Sequence, residues 1–170
     1  LMLPALAIAG LTSWWVRAAY SKWSKVGVRA GLDGARMAQL VLQSEGVAGV
    51  TIEQVDGFLS DHYDPRTRTL RLSPANYSGR SVAALGVAAH EAGHAIQHAR
   101  AYFPLKVRSA LVPLQMIGSQ LAWPLLLIGL AIKSSGLILV GVAVFGIATL
   151  FTVVTLPVEF DASRRALISL

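Results

Sequence analysis

The 170-residue chain has no cysteine. Disulfides and thiolate metal ligands are therefore excluded, and any metal must be held by His, Asp or Glu. Acidic residues are scarce: nine Asp and Glu face fifteen Lys and Arg. Charged residues make up 14% of the chain, where a soluble globular domain carries about 25%. No low-complexity run or internal repeat is present. With 54% hydrophobic residues the chain is too apolar for a soluble domain. Its length fits one domain, or one domain plus membrane segments. The net charge of +6 fits either a nucleic-acid surface or membrane helices held at an anionic leaflet, and the positions of the charges decide between them.

Three apolar segments stand out. The first, residues 1–16, is short for a span of about 20 residues. Trp14, Trp15 and Tyr20 follow as an aromatic belt would. A secretory signal carries its positive charge before the apolar run. Here Arg17, Lys22, Lys25 and Arg29 come after it, so residues 1–20 read as a retained transmembrane anchor. Residues 109–132 and 136–158 are each long enough to span a bilayer. Lys133-Ser134-Ser135 is a tight link, so these two form a helical hairpin. Pro113 and Pro124 do not count against this, because spanning helices tolerate proline. One side of the membrane collects Arg17, Lys22, Lys25, Arg29, Arg100, Lys106, Arg108, Arg164 and Arg165, and the other has only Lys133. Positive residues stay inside, so residues 17–108 and the tail after 158 are cytoplasmic. This pattern accounts for the basic charge without nucleic acid. The expected organisation is an anchor at 1–20, a cytoplasmic region at 21–107, a hairpin at 108–158 and the start of a C-terminal helix at 159–170.

Within the cytoplasmic region, residues 33–44 read as an amphipathic helix with Asp33 as N-cap and Gly46 as stop. Residues 50–55 alternate apolar and polar, which predicts a strand. Residues 58–62 and 67–72 flank a turn at Asp64-Pro65-Arg66-Thr67 and predict a small hairpin or sheet. Its exposed edge could take a peptide as an added strand, and a purely structural hairpin fits equally well. Residues 81–101 read as a helix of about 20 residues, roughly 30 Å long, capped by Ser78 or Ser81. The fold class is thus a mainly α membrane protein. It has three transmembrane helices and a small cytoplasmic α+β unit of zincin type.

The last of these helices carries His90-Glu91-Ala92-Gly93-His94. Four residues rotate by about 40° and rise about 6 Å, so both imidazoles leave one face on consecutive turns. That spacing lets them share one tetrahedral zinc ion. Glu91 projects to the side, where it can take a proton from a metal-activated water as general base. Gly93 leaves the helix thin beside the metal, which could admit a substrate strand. This pattern is that of helical zinc proteases, and by chance it arises in on the order of one chain in a few hundred. Two His and a Glu in the middle of an apolar helix are costly without a purpose.

A third ligand is needed. His98 lies about 12 Å along the axis from His90 and cannot easily converge on the same ion, so it reads as a second-shell or surface group. Glu159 is the better candidate, because the hairpin returns the chain to the cytoplasmic side just there. Asp161 is the next choice, or orients a ligand His through its second nitrogen. His62 or Tyr63 could donate to the oxyanion formed in hydrolysis. Asp64 before Pro65 reads as turn chemistry.

Several stretches resemble the YugP-type "putative neutral zinc metallopeptidases" of bacterial membranes. They are Gly57-Phe58-Leu59-Ser60-Asp61-His62-Tyr63-Asp64-Pro65, Leu70-Arg71-Leu72-Ser73-Pro74 and the run from Gly86 to His98. Pro157-Val158-Glu159-Phe160-Asp161-Ala162-Ser163 is similar too. The resemblance implies His90 and His94 as zinc ligands, Glu91 as base and a bacterial plasma-membrane location. Members usually continue past the residues matching 164–170, so a longer protein is expected. The expected function is a membrane-anchored zinc endopeptidase. It would cut unfolded or membrane-associated proteins near the cytoplasmic face, with partners limited to peptide substrate and the bilayer. An intramembrane zinc protease of site-2 type, or a metal-holding adaptor that does not cut, are the alternatives. Intact Glu91 speaks against the adaptor, since a structural metal needs no base.

Overall fold

The computed structural model describes residues 2–28 and 31–169. Arg29, counted above among the charges, lies outside the described residues, as do Leu1 and Leu170 at the ends of the expected anchor and tail. The chain divides into two compact units, residues 1–96 with 162–170, and residues 97–161.

The first unit opens with helix α1 (Met2–Trp23). The chain leaving it pairs with the start of a later helix: Val28 N donates to Arg80 O at 3.0 Å and Val82 N to Val26 O at 2.9 Å. Helix α2 (Gly34–Ser44) starts where expected, with the Asp33 carboxylate accepting from Arg36 N at 2.8 Å. It turns Ala38, Val41 and Leu42 inward at helical spacing. Gly46, with φ +65°, closes it in a conformation that side chains rarely adopt.

A three-stranded sheet follows, with β1 (Thr51–Gln54), β2 (His62–Asp64) and β3 (Thr69–Leu72) in the order β1-β3-β2. β3 runs parallel to β1 and antiparallel to β2, with Leu70 opposite both Ile52 and Tyr63. The turn at 64–67 forms as expected. Asp64 accepts from Arg66 N at 2.9 Å and from the Thr67 hydroxyl at 3.0 Å. The Arg66 N–H holds the Asp64 carboxyl below the usual carboxylate range. Residues 58–61, expected as strand, are not. Gly57 and Leu59 take φ of +117° and +53°, which bends the chain, so pairing begins only at His62.

Helix α3 (Pro74–Tyr77) leads to α4 (Val82–Ala99). Of the two expected caps Ser81 serves, its hydroxyl accepting from Ala84 N at 3.2 Å. The inner stripe of α4, Ala88, Ala89, Ala92, Ala95 and Ile96, packs with Leu70 and Leu72 of β3 and Val41 and Leu42 of α2 in one core. Burying each of the two β3 leucines contributes about 1.5–3 kcal/mol. The alanine stripe keeps the helix surface low where it meets the sheet.

A polar network lies beside this core. The Asp61 carboxylate accepts from Ser73 N at 2.7 Å, from the Ser73 hydroxyl at 3.1 Å and from Asn76 Nδ2 at 2.8 Å. Asn76 Oδ1 accepts in turn from the Tyr20 hydroxyl at 2.8 Å, which ties the end of α1 to α3. Ser73 and Asn76 are buried, so their donors have no water to fall back on.

The second unit contains α5 (Phe103–Ala131) and the larger part of α6 (Ser135–Ser169). They form the expected hairpin. Its turn is closed by Ser134 N donating to Gly129 O at 2.9 Å, with Lys133 at φ +52°. Glycines allow close approach: a Cβ on Gly129 or Gly141 would come within 2.9 Å of Ile138 or Leu126. Small residues at such contacts are how helices associate without a hydrophobic drive. Both helices are long and apolar enough to cross a membrane, by length and composition. α1 is not among the helices that meet this test. The expected start of a C-terminal helix is the continuation of α6, which passes Pro157 unbroken.

Asp61→Ala removes the acceptor of three donor groups on two buried residues, Ser73 and Asn76. It is expected to destabilise the protein by about 2–4 kcal/mol in chemical unfolding in detergent. A loss below about 1 kcal/mol would show that the network is not structural.

Candidate metal centre

His90 and His94 stand one turn apart on α4, with ring centroids 4.9 Å apart and planes at 82°. His94 and Glu91 are buried, at 7% and 8% exposure, and His90 is half-buried. Glu159 sits on α6. His90, His94 and Glu159 each offer a ligand atom, and the three atoms lie within 4.8 Å of one another. Two imidazoles and a carboxylate at this separation suit a zinc ion, which takes N and O donors and leaves a fourth position open in catalytic sites.

The placement of this part of α6 depends on Gly93. A Cβ there would lie 2.5 Å from the carbonyl oxygen of Ala162 and 3.1 Å from its Cα. The thin place on α4 is therefore filled by the backbone of α6. This corrects the expectation that Gly93 makes room for a substrate strand. Ser163, the next residue, brings its hydroxyl to 3.1 Å from His90 Nδ1. A bond at Nδ1 fixes the ring and directs the other nitrogen elsewhere. Ser163 follows Glu159 by four residues, so one face of α6 carries both.

Gln97, fully buried, donates from Nε2 to Val158 O and to Asp161 Oδ2, both at 2.8 Å. Asp161 thus has a structural partner and is not in the metal group. Glu159 has a cation beside it, Arg108 Nη2 at 3.7 Å from Oε1. The sequence reading used Arg108 only for topology and gave Ser163 no role. Nothing local marks Arg108, since its partner is 51 positions away. Ser163 was legible as one helical turn beyond the proposed ligand.

The remaining candidates are not brought into the group of three. His98 is half-buried toward the end of α4. His62 is exposed, with Nδ1 2.8 Å from Ser60 O. Tyr63 lies on β2, where burial pushes its phenol up, so it keeps its proton at neutral pH.

Gly93→Ala makes a clean test of the helix contact. In a free helix alanine is favoured by about 1 kcal/mol. Here the expected sign is reversed, because overpacking costs about 1–3 kcal/mol. Thermal unfolding should show a lower midpoint for the variant, and an unchanged or raised midpoint would refute the contact.

Comparisons with known proteins give the family of the chain. The family model described as "Putative neutral zinc metallopeptidase" matches residues 1–170. The chain is 42% identical over 164 residues to "Putative membrane protease YugP" of Bacillus subtilis (strain 168), covering 95% of this chain and 73% of that relative. No solved structure matches it. A sequence match along the whole chain and a His-His-Glu group within it lead to one conclusion: the chain belongs to the family of "putative neutral zinc metallopeptidases".

Proposed function

We propose that this chain is a zinc-dependent endopeptidase held in a membrane, cutting unfolded or membrane-associated polypeptides near the cytoplasmic face. The observation that carries this reading is the convergence of His90, His94 and Glu159 with Glu91 next to the first ligand. His90 and His94 would hold zinc through imidazole nitrogen and Glu159 through a carboxylate oxygen. When bound, zinc supplies Lewis acidity that lowers the pKa of a water to near neutral. Glu91, buried on the same helix, would serve as the base for a water there and pass the proton on to the leaving amine. Ser163 keeps the His90 ring in place, and Arg108 stands beside the Glu159 carboxylate at 3.7 Å.

The membrane part of the reading rests on three supports. α5 and α6 are long and apolar enough to span, and their leucines face outward: Leu127, Leu139 and Leu150 are 60%, 69% and 60% exposed. A core helix of a soluble protein would hide them. The Bacillus relative is named a membrane protease. The Lys and Arg distribution supports a cytoplasmic side for residues 17–108, with α1 as an additional anchor. α4 is not among the helices apolar enough to span, which favours a site at the membrane surface over an intramembrane one.

The purified chain should carry zinc in about one equivalent and degrade an unfolded protein such as casein. Glu91→Gln is expected to keep the zinc and lose the cleavage by a factor of at least about 100. Glu159→Ala is expected to lose zinc by elemental analysis while keeping its fold by circular dichroism. If wild type holds zinc but shows no cleavage beyond the Glu91→Gln background, the protease reading fails.

A further inference from the structure

An apolar cavity of about 320 Å³ lies between the end of α1 and the first half of α4. Tyr20 and Trp23 form one wall, and Val82, Gly86 and Val87 form the other. No charged side chain lines it. The mechanism does not use this cavity.

Its position on α4 is informative. Residues 83, 86, 87, 90 and 94 fall on one helical face. The opposite face, with Ala84, Ala88, Ala92 and Ala95, is in the core. The cavity therefore lies on the same face as His90 and His94. Gly86 precedes His90 by four residues, about 6 Å along the axis. An extended peptide advances about 3.3 Å per residue and sends alternate side chains to one side. A peptide with its carbonyl at the two histidines thus carries a neighbouring side chain to the cavity.

The cavity is also built in advance. Tyr20 is held at its hydroxyl by Asn76 and at its ring edge by Phe58, with centroids 5.8 Å apart. The pairing of Gly27 with Ser81 fixes the spacing between the end of α1 and the start of α4. Gly86 keeps the cavity open: a Cβ there would meet nothing within 4 Å. A helix interior gains about 1 kcal/mol from alanine over glycine, so glycine at an uncrowded position is a cost that an open pocket explains.

We infer that this cavity is the subsite for a large apolar side chain of the substrate, adjacent to the bond that is cut. The inference rests on the protease reading and adds a specificity to it: cleavage beside Leu, Phe or Met.

The experiment has two arms, both on the full chain in detergent. In the first, wild type and Gly86→Leu digest a peptide library, and cleavage sites are read by mass spectrometry. Wild type should cut beside large apolar residues. Gly86→Leu should move the preference at that position to Ala or Gly, with kcat/KM for a Leu-containing peptide down by about tenfold or more. Retained cleavage with the same preference in both proteins overturns the subsite. So does the absence of any apolar preference in wild type. In the second arm, Glu91→Gln is incubated with a peptide carrying photo-leucine. Crosslinks should map to the segments containing Trp23 and Val87, and crosslinks elsewhere or none overturn the subsite. Crosslinks at the cavity with no cleavage by wild type would keep the pocket and sink the protease reading. A phospholipid that copurifies with wild type but not with Gly86→Leu, with equal cleavage preference in the two, would assign the cavity to an acyl chain and overturn the inference.

Discussion

The backbone of α6 at Ala162 rests on α4 at Gly93, and the candidate metal centre depends on that contact. Two helices rarely approach so closely that a single Cβ would reach a carbonyl oxygen across the gap. Here the approach sets what α6 can deliver. Ser163 meets His90 one residue past the contact, and Glu159 lies one turn before it. A wider spacing would leave the ring nitrogen of His90 without its hydroxyl. Gly93 thus has a reason that does not involve substrate at all.

The rest of the first unit presents α4 at a fixed height. Its alanine stripe packs on Leu70 and Leu72 of the central strand, so the outward face carries the chemistry. The same rotation that buries Ala88, Ala92 and Ala95 turns His90 and His94 away from the core. The Asp61 network and the Tyr20 hydroxyl then tie α1 and α3 to this arrangement through charged and neutral hydrogen bonds. A candidate metal site built on a helix and braced in this way holds its groups more rigidly than one carried on loops.

The second unit follows a different logic. α5 and α6 share a tight turn and glycine contacts, while Leu127, Leu139 and Leu150 are exposed. By length and composition both helices could cross a membrane, and small residues at the contact let such helices approach closely. Within it Gln97 binds Val158 and Asp161, and Arg108 stands beside Glu159. The carboxylates that follow the apolar run are therefore not stray interface charges. Each has a polar partner within the unit.

By itself the sequence determined the helix with its two histidines, the cap at Asp33, the turn at 64–67 and the two long apolar helices. Each of these is local: periodicity, a capping side chain, proline before a turn, or a run of one composition. It also proposed Glu159 as third ligand, because the short link between two long helices leaves few places for the chain to return, and Glu159 stands in the candidate group with His90 and His94. The sequence put a strand at 58–62, of which only His62 pairs, because positive φ at Gly57 and Leu59 bends the chain before it. It expected a new helix at 159, where α6 simply continues. The role of Gly93, the Ser163 bond to His90, the Arg108 partner of Glu159 and the cavity at Gly86 were decided by tertiary structure alone. Those contacts join residues tens of positions apart. No pattern within one element records which backbone, hydroxyl or cation will stand opposite it.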